Sequence, residues 1–233
     1  MSVYFCSDLH GEYESFLRLL DKIGFCGGDK MYVLGDFIDK GRGSIDLARL
    51  LMEESGFKAL LGNHEHFFLR HYAFCTDEYE RGEIDDLWRA VGEYFTEEKK
   101  PFPPDVADFI ESLPYFYEDE DFICVHAGAE LDGLGRIKPL SEQDGNYFLF
   151  DRSFCDDEVI PFESKTVLFG HTPVRPIGGE VRIKKTLRAG LNEAGSIADY
   201  CKIQLDLGTP LTRVTGCLRL EDLREFYVKK NGL

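Results

Sequence analysis

The sequence predicts an α/β protein in which two sheets pack face to face and helices cover their outer surfaces. Three observations lead to this prediction. The first third of the chain alternates short apolar strand patterns with amphipathic helix patterns, which is typical of parallel sheets. Polar side chains follow directly after these apolar runs. The last third is rich in alternating apolar residues, which indicates an antiparallel second sheet.

The N-terminal third supplies five elements in the order strand, helix, strand, helix, strand. They are predicted at residues 3–6, 12–23, 31–34, 45–54 and 57–61. In the first helix pattern the apolar residues recur at helical spacing, and Gly24 follows the last of them as a stop signal. Ser44 precedes the second helix pattern and is predicted to cap its N-terminus.

Residues 77–121 differ in composition from the rest of the chain. They contain 16 acidic and 4 basic residues and carry most of the formal net charge of −16. Because 45 residues would form only a marginal core alone, we interpret residues 75–121 as a mainly helical insertion in a single domain spanning residues 1–233. Charge-rich segments are usually solvated surface, and the alternative here is a lid that selects substrates.

The remaining strand patterns fall into two groups. Residues 122–125 and 166–169 each run into a histidine. The C-terminal patterns are residues 181–185, 202–207, 211–220 and 225–229, with a turn at residues 208–210. We expect these last strands to pair with one another in the second sheet.

The composition limits the classes of function. The 27 basic residues against 43 acidic ones argue against a protein that coats nucleic acid or a membrane surface. No apolar stretch approaches the roughly 20 residues that span a bilayer, and the N-terminus lacks a leader pattern. We therefore expect a soluble cytoplasmic protein. Seven cysteines without a C-x-x-C pair predict free thiols, not disulfides or a zinc knuckle.

Six potential metal ligands follow the predicted strands. They are Asp8, His10, Asp36, Asn63, His126 and His171. Because open sheets place their ligands at the carboxyl ends of strands, we expect these side chains to converge. Carboxylates, imidazoles and an amide oxygen without thiolates suit manganese, iron or zinc. Each residue alone also fits a turn or a buried core position, but the repeated placement favours a two-metal site. Asp36 is the best bridging ligand, because a carboxylate offers two oxygens.

Five short motifs resemble the signatures of the calcineurin-like metallophosphoesterases, and within them the bacterial and phage type of phosphoprotein phosphatase. The family patterns GDxHG, GDxxDRG, GNHE, HAG and GHTP correspond to residues 7–11, 35–41, 62–65, 126–128 and 170–173. Ser7 replaces the first glycine, and only the acidic insertion is unmatched. The resemblance implies a four-layer αββα sandwich, two divalent metal ions, most often manganese, and attack of a metal-bridging hydroxide on phosphorus.

The resemblance also implies catalytic roles. His64 would protonate the leaving oxygen as general acid, and Asp39 would orient it. The family's protein phosphatases usually carry arginines where this chain has Lys40 and Leu61, so part of the phosphate contact is weakened or lost. The residues expected to bind phosphate are Lys40, Arg42 and Arg152, the last of which lies in a stretch that looks like the family's W-x-R region.

The function predicted first is a metal-dependent phosphatase acting on phosphoserine or phosphothreonine in proteins, or on a small phosphoester. The alternative is a symmetrical diadenosine tetraphosphate hydrolase, since those relatives also carry leucine before GNHE. A non-catalytic scaffold is disfavoured, because a binding module needs no general acid such as His64 beside a metal ligand. We expect the acidic segment to favour phosphopeptides with basic neighbours over a polyanionic dinucleotide.

Overall fold

A computed structural model describes residues 1–82, 101–176 and 178–230 of the chain. Ten strands form its two sheets. They are β1 (Val3–Cys6), β2 (Lys30–Val33), β3 (Phe57–Ala59), β4 (Phe116–Glu118), β5 (Phe122–Val125), β6 (Thr166–Phe169), β7 (Lys184–Leu187), β8 (Tyr200–Gln204), β9 (Val214–Arg219) and β10 (Glu225–Lys229). The longer helices are α1 (Tyr13–Ile23), α2 (Ser44–Glu53), α3 (Asn63–Arg81) and α4 (Pro104–Glu111), and the shorter ones are α5 (Gly145–Phe150) and α6 (Thr209–Thr212).

Both sheets are mixed and have five strands. The first has the order β10-β9-β1-β2-β3, with β1, β2 and β3 parallel and β9 and β10 antiparallel. The second has the order β4-β5-β6-β8-β7, with β5, β6 and β8 parallel and antiparallel strands at both edges. The strands β1, β2 and β3 lie side by side in the first sheet, as β5, β6 and β8 do in the second, so their carboxyl ends are available to form one site.

The predicted antiparallel sheet of C-terminal strands is wrong. β7 and β8 join the second sheet, whereas β9 and β10 extend the first through the pairing of β9 with β1, in which Phe5 lies opposite Leu218. An alternating apolar pattern identifies a strand but not its partner, because pairing is decided by contacts distant in sequence. The predicted strand at residues 211–220 also begins late, since residues 209–212 form α6.

Three apolar clusters define the layers. The outer face of the first sheet packs against α1 to α4, with Phe16, Leu47 and Phe68 buried there. The two sheets meet through a second cluster, in which the Phe5 and Phe122 rings lie 4.9 Å apart. The outer face of the second sheet is covered by α5 and neighbouring loops. This confirms the predicted sandwich of two mixed sheets flanked by helices.

The helix ends agree with the sequence at one position and differ at another. Gly24 closes α1 in the left-handed conformation, as predicted. Ser44, however, is the first residue of α2 and caps nothing. Its hydroxyl accepts a hydrogen bond from the N–H of Asp39 at 3.0 Å and donates to the carbonyl of Gly41. Ser44 therefore holds the loop that precedes α2 rather than the helix itself.

Much of the predicted acidic insertion lies outside the described residues, which resume at Pro101 after Gly82. On either side of this gap, α3 ends at Arg81, and α4 packs on α2 and α3 through Val106 and Ile110. In the part of the chain that is described, no helix combines the length and apolar character needed to cross a membrane.

Candidate metal centre and substrate cavity

The predicted metal ligands converge at the carboxyl ends of the central strands, and all six are buried. Asp8, Asp36 and Asn63 follow the first sheet's β1, β2 and β3, and His126 and His171 follow β5 and β6 of the second. Four of the six, together with His64, form two groups whose ligand atoms lie within 4.8 Å of one another: His10, Asp36 and His64 in one, and Asp36, His126 and His171 in the other. Asp36 belongs to both groups.

The two carboxylate oxygens of Asp36 face different imidazoles. Oδ2 lies 3.9 Å from Nε2 of His10 and 3.7 Å from Nε2 of His64. Oδ1 lies 3.4 Å from Nε2 of His126 and also accepts a hydrogen bond from the N–H of His64 at 3.0 Å. A carboxylate placed between two ligand groups in this way has the geometry of a bridging ligand.

The remaining two predicted ligands link the sheets. The amide oxygen of Asn63 lies 3.0 Å from Nε2 of His126 and 2.8 Å from Nδ1 of His171. Asp8 accepts a hydrogen bond from the N–H of His171 at 3.0 Å and another from the hydroxyl of Ser7. The contacts of Asn63 with the two histidines and of Asp8 with His171 each join a loop of the first sheet to a loop of the second.

Six residues at this site have a backbone conformation that side chains rarely adopt. Asp8, His10, Asp36, Asp39, Lys40 and His171 all have φ between 44° and 71°. Such left-handed residues cost roughly 1–3 kcal/mol each and persist only where their surroundings hold them. Part of that support comes from Glu65, which is fully buried and accepts hydrogen bonds of 2.8–3.0 Å from the N–H groups of Asp36, Phe37 and Ile38. Sequence reasoning assigned Glu65 no role.

Two motif glycines allow the loops to approach the carboxylates. A Cβ atom on Gly62 would lie 2.3 Å from Oδ1 of Asp36. One on Gly170 would lie 1.9 Å from the Ser7 hydroxyl and 2.2 Å from Oδ2 of Asp8. Because such distances are impossible without displacement, any side chain at either glycine would move a predicted ligand.

The imidazoles are held neutral and oriented. Nδ1 of His10 lies 3.2 Å from the carbonyl of Ile38, and Nδ1 of His126 lies 2.7 Å from that of Leu34, which directs each Nε2 into the site. Burial, reinforced by the charge of Lys40, lowers the pKa of His10 to about 3. Burial also lowers the pKa of His126, and that of His171 to about 4. Neutral imidazole is the form that binds metal.

Three buried carboxylates near the site have raised pKa values. Burial and the charge of Glu65 raise the pKa of Asp36 to about 8, and burial raises that of Asp206 to about 6. Burial, with the charges of Asp206 and Asp36, raises the pKa of Asp8 well above its ordinary value. Nearby divalent cations would stabilise the ionised forms of these groups. In addition, the buried Nε2 of His171 has no hydrogen-bond partner among the described residues. The donor set therefore fits divalent cations.

His64 and Asp39 form a pair at the edge of this centre. Nδ1 of His64 lies 2.5 Å from Oδ2 of Asp39, and Nε2 faces Asp36. Burial disfavours the imidazolium, but the hydrogen bond to Asp39 and the charge of Asp36 outweigh it and raise the pKa of His64. The pair can therefore hold a proton on the side of His64 that faces the centre.

The predicted phosphate-binding residues separate in space. Lys40 and Arg152 line the same cavity as the ligands, and Nζ of Lys40 lies 2.9 Å from Nε2 of His10. Arg42 instead lines a neighbouring depression, which Lys40 also borders and which does not contain the predicted ligands. Leu61 is buried and its N–H donates to the carbonyl of Pro114, so position 61 does not face the cavity. Two of the three predicted cations are thus brought together with the metal ligands.

The cavity has a volume of about 270 Å³ and includes residues that sequence reasoning missed. Asp206 lines it from the loop after β8, and an apolar wall is formed by Pro173, Pro210 and Leu211. Asp206 carried the same signal as the other ligands, an acid at the end of an apolar run. Because the predicted strand at residues 202–207 included Asp206, this acid was not recognised as a residue that follows a strand.

Sequence comparisons place the chain near known hydrolases. The sequence model of the family described as "Calcineurin-like phosphoesterase" matches residues 1–200. A protein of Nitrosomonas europaea described as "Bis(5'-nucleosyl)-tetraphosphatase, symmetrical" is 29% identical over 130 residues, 55% of this chain and 45% of the relative. One of Methylobacillus flagellatus with the same description is 28% identical over 130 residues, 55% of this chain and 43% of the relative. The chain spans less than half the length of these curated relatives.

Solved structures share the fold. One described provisionally as a diadenosine tetraphosphatase has a TM-score of 0.64 at 20% identity and covers 99% of this chain and 95% of its own. A metallophosphoesterase of Sphaerobacter thermophilus has a TM-score of 0.58 at 15% identity, and the match covers 99% of this chain and 89% of that protein. A protein serine/threonine phosphatase of Saccharomyces cerevisiae has a TM-score of 0.54 at 15% identity, and the match covers 100% of this chain and 80% of that protein. At these identities the likeness concerns the fold alone.

Proposed function

The chain belongs to the calcineurin-like phosphoesterase family, and we propose that it hydrolyses symmetrical dinucleoside polyphosphates such as diadenosine tetraphosphate. The observation that carries this proposal is the composition of one cavity, which is lined by four of the six predicted ligands, by His64 with Asp39 behind it, and by two cations. Both curated relatives described above are named for this activity. The proposal replaces the phosphoprotein phosphatase that the sequence alone favoured.

Leu61 was expected to weaken phosphate binding, because the family's protein phosphatases usually carry arginine at this position. A leucine at this position would weaken phosphate binding only if the position faced the substrate, and it does not. Lys40 and Arg152 remain as the cations for a polyphosphate chain, with Arg152 suited to bidentate contact. The predicted preference for basic phosphopeptides depended on the acidic segment, much of which lies outside the described residues, and it stays a prediction.

In the proposed reaction, the ligand set Asp8, His10, Asp36, Asn63, His126 and His171 holds two divalent cations, which we expect to be manganese. When bound, such cations supply an activated water and neutralise charge on the phosphoryl group. His64 donates its Nε2 proton to the leaving phosphate oxygen, and Asp39 holds the opposite nitrogen to keep that proton in place. Lys40 and Arg152 orient the phosphates.

A substrate panel tests this proposal. The protein with manganese is assayed on diadenosine tetraphosphate, a phosphoserine peptide and an aryl phosphate, and the nucleotide products are separated. We expect the highest kcat/KM for the dinucleotide and ADP as its sole product, because symmetrical cleavage divides the phosphate chain at its centre. A higher kcat/KM for the phosphopeptide would instead support the phosphoprotein phosphatase, and formation of AMP and ATP would contradict symmetrical cleavage.

A further inference from the structure

The substrate cavity has two chemically different sides. Metal ligands and the cations Lys40 and Arg152 form the polar side, whereas Pro173, Pro210 and Leu211 form the apolar wall named above. Leu211 is 89% exposed, although leucine side chains usually avoid water. A lone exposed leucine needs no explanation, but this one continues an apolar surface into a cavity that contains the chemical centre.

The apolar wall is rigid. Leu211 lies on the single-turn helix α6, which left-handed residues bound on both sides, Gly208 at φ 62° and Arg213 at φ 60°. The hydroxyl of Thr212 donates to the carbonyl of Leu207 at 2.9 Å and accepts from the N–H of Val214 at 3.2 Å. Leu211 is therefore presented on a fixed turn, so its exposure does not come from a loosely held loop.

The wall is also tied to the metal centre. Pro173 follows the predicted ligand His171 by two residues, and the N–H of Val174 donates to the carbonyl of Asp206 at 2.9 Å. The side chain of Asp206 in turn accepts from the N–H of Gly208 at 2.7 Å. These contacts place the apolar wall at a defined position relative to the reacting phosphate.

We propose that Pro173, Pro210 and Leu211 form a subsite for one nucleobase of the substrate, an inference that rests on the proposed function. A nucleotide joins an anionic chain to a planar, largely apolar ring, which matches the two sides of this cavity. Phosphate gains nothing from the apolar wall, whereas a base packed there would remove both its own face and Leu211 from water. The apolar wall therefore favours substrates that carry a nucleobase over simple phosphates.

The size of the cavity limits this subsite to half of the substrate. A volume of about 270 Å³ lies just below the roughly 300–1,000 Å³ typical of sites for drug-sized ligands. It accommodates a phosphate group with one base, and the second nucleoside extends beyond it. A mononucleotide should consequently bind better than the same molecule without its base.

Direct binding tests the subsite without relying on turnover. Calorimetry on the manganese-loaded full chain compares AMP with ribose 5-phosphate, which lacks the base. We expect AMP to bind about tenfold more tightly, a difference of about 1.4 kcal/mol. Leu211→Ser should bring AMP to within about twofold of ribose 5-phosphate and leave the latter unchanged. Leu134→Ser, at a 72% exposed leucine that does not line the cavity, is the matched control.

Equal affinity of the wild-type protein for both ligands, no measurable AMP binding, or equal weakening of both by Leu211→Ser would overturn the subsite. Turnover of diadenosine tetraphosphate is measured on the same preparations. Base-dependent binding without this turnover refutes the proposed function and leaves the subsite standing. Turnover without base-dependent binding refutes the subsite alone.

Discussion

Replacing Lys202 by methionine should destabilise the protein and, through Arg152, weaken phosphate binding. Lys202 lies on β8 and is 1% exposed. Its ammonium group donates to three backbone carbonyls, those of Phe154 at 2.8 Å, Asp156 at 2.5 Å and Val159 at 2.6 Å. All three belong to the loop that directly follows Arg152, so one buried cation holds the segment next to a predicted phosphate-binding residue.

The expected loss of stability follows from the three hydrogen bonds of Lys202. A hydrogen bond to a charged group contributes about 1.5–3 kcal/mol, and the three contributions are not additive because the loop can relax and admit water. We expect Lys202→Met to lower the free energy of unfolding by about 2–4 kcal/mol, because each unpaired carbonyl costs about 1–3 kcal/mol and two of the three bonds are only partly buried. The displaced loop should also raise KM for diadenosine tetraphosphate by about tenfold, because the segment that carries Arg152 would move away from the cavity.

Urea denaturation and steady-state kinetics measure the two effects. Lys165→Met is the control for stability, because its half-exposed pair with Glu118 should contribute at most about 1 kcal/mol. For function, Lys202→Met is combined with Arg152→Ala. If Lys202 acts through Arg152, the double variant should have the KM of Arg152→Ala alone. Additive effects on KM, or a stability loss no larger than that of Lys165→Met, would refute the reasoning.

Three further predictions concern the metal centre. Asp36→Asn should lose more bound metal than any other single ligand change, because Asp36 is shared by both ligand groups, and elemental analysis of the purified variants measures this. His64→Asn should keep both metals but lower kcat for diadenosine tetraphosphate by about 10²–10⁴, with smaller losses for an aryl phosphate whose phenol is acidic enough to leave without a proton. Gly62→Ala should lose metal because its Cβ would meet Asp36, whereas Gly27→Ala, in open space, should not.

A specific result would contradict each of these three predictions. One metal ion or none in a fully active wild-type protein would contradict a bridging Asp36. Equal losses of kcat on diadenosine tetraphosphate and the aryl phosphate would exclude His64 as the general acid. Full metal content in Gly62→Ala would show that the loop can shift without disturbing the centre.

Local sequence was sufficient for those parts of the protein that depend on neighbouring residues. The strand patterns before Asp8, Asp36 and His126 were recognisable from apolar runs, and the polar residue after each run predicted which edge of the sheet would carry the site. Gly24 likewise predicted the end of α1, because glycine readily adopts the left-handed conformation that closes a helix. The same pattern of polar residues after apolar runs predicted the six ligands, and the resemblance to the family implied the His64–Asp39 pair; the structure brings these residues together.

Contacts distant in sequence decided the rest. The partners of β9 and β10 differed from the prediction because an alternating pattern carries no information about pairing. Only the folded chain places Arg42 outside the cavity that Lys40 and Arg152 line, buries Leu61 and brings Leu211 to that cavity. The physical reason is that a side chain's type and local pattern set what it can bind, whereas the packing of two sheets sets what it can reach.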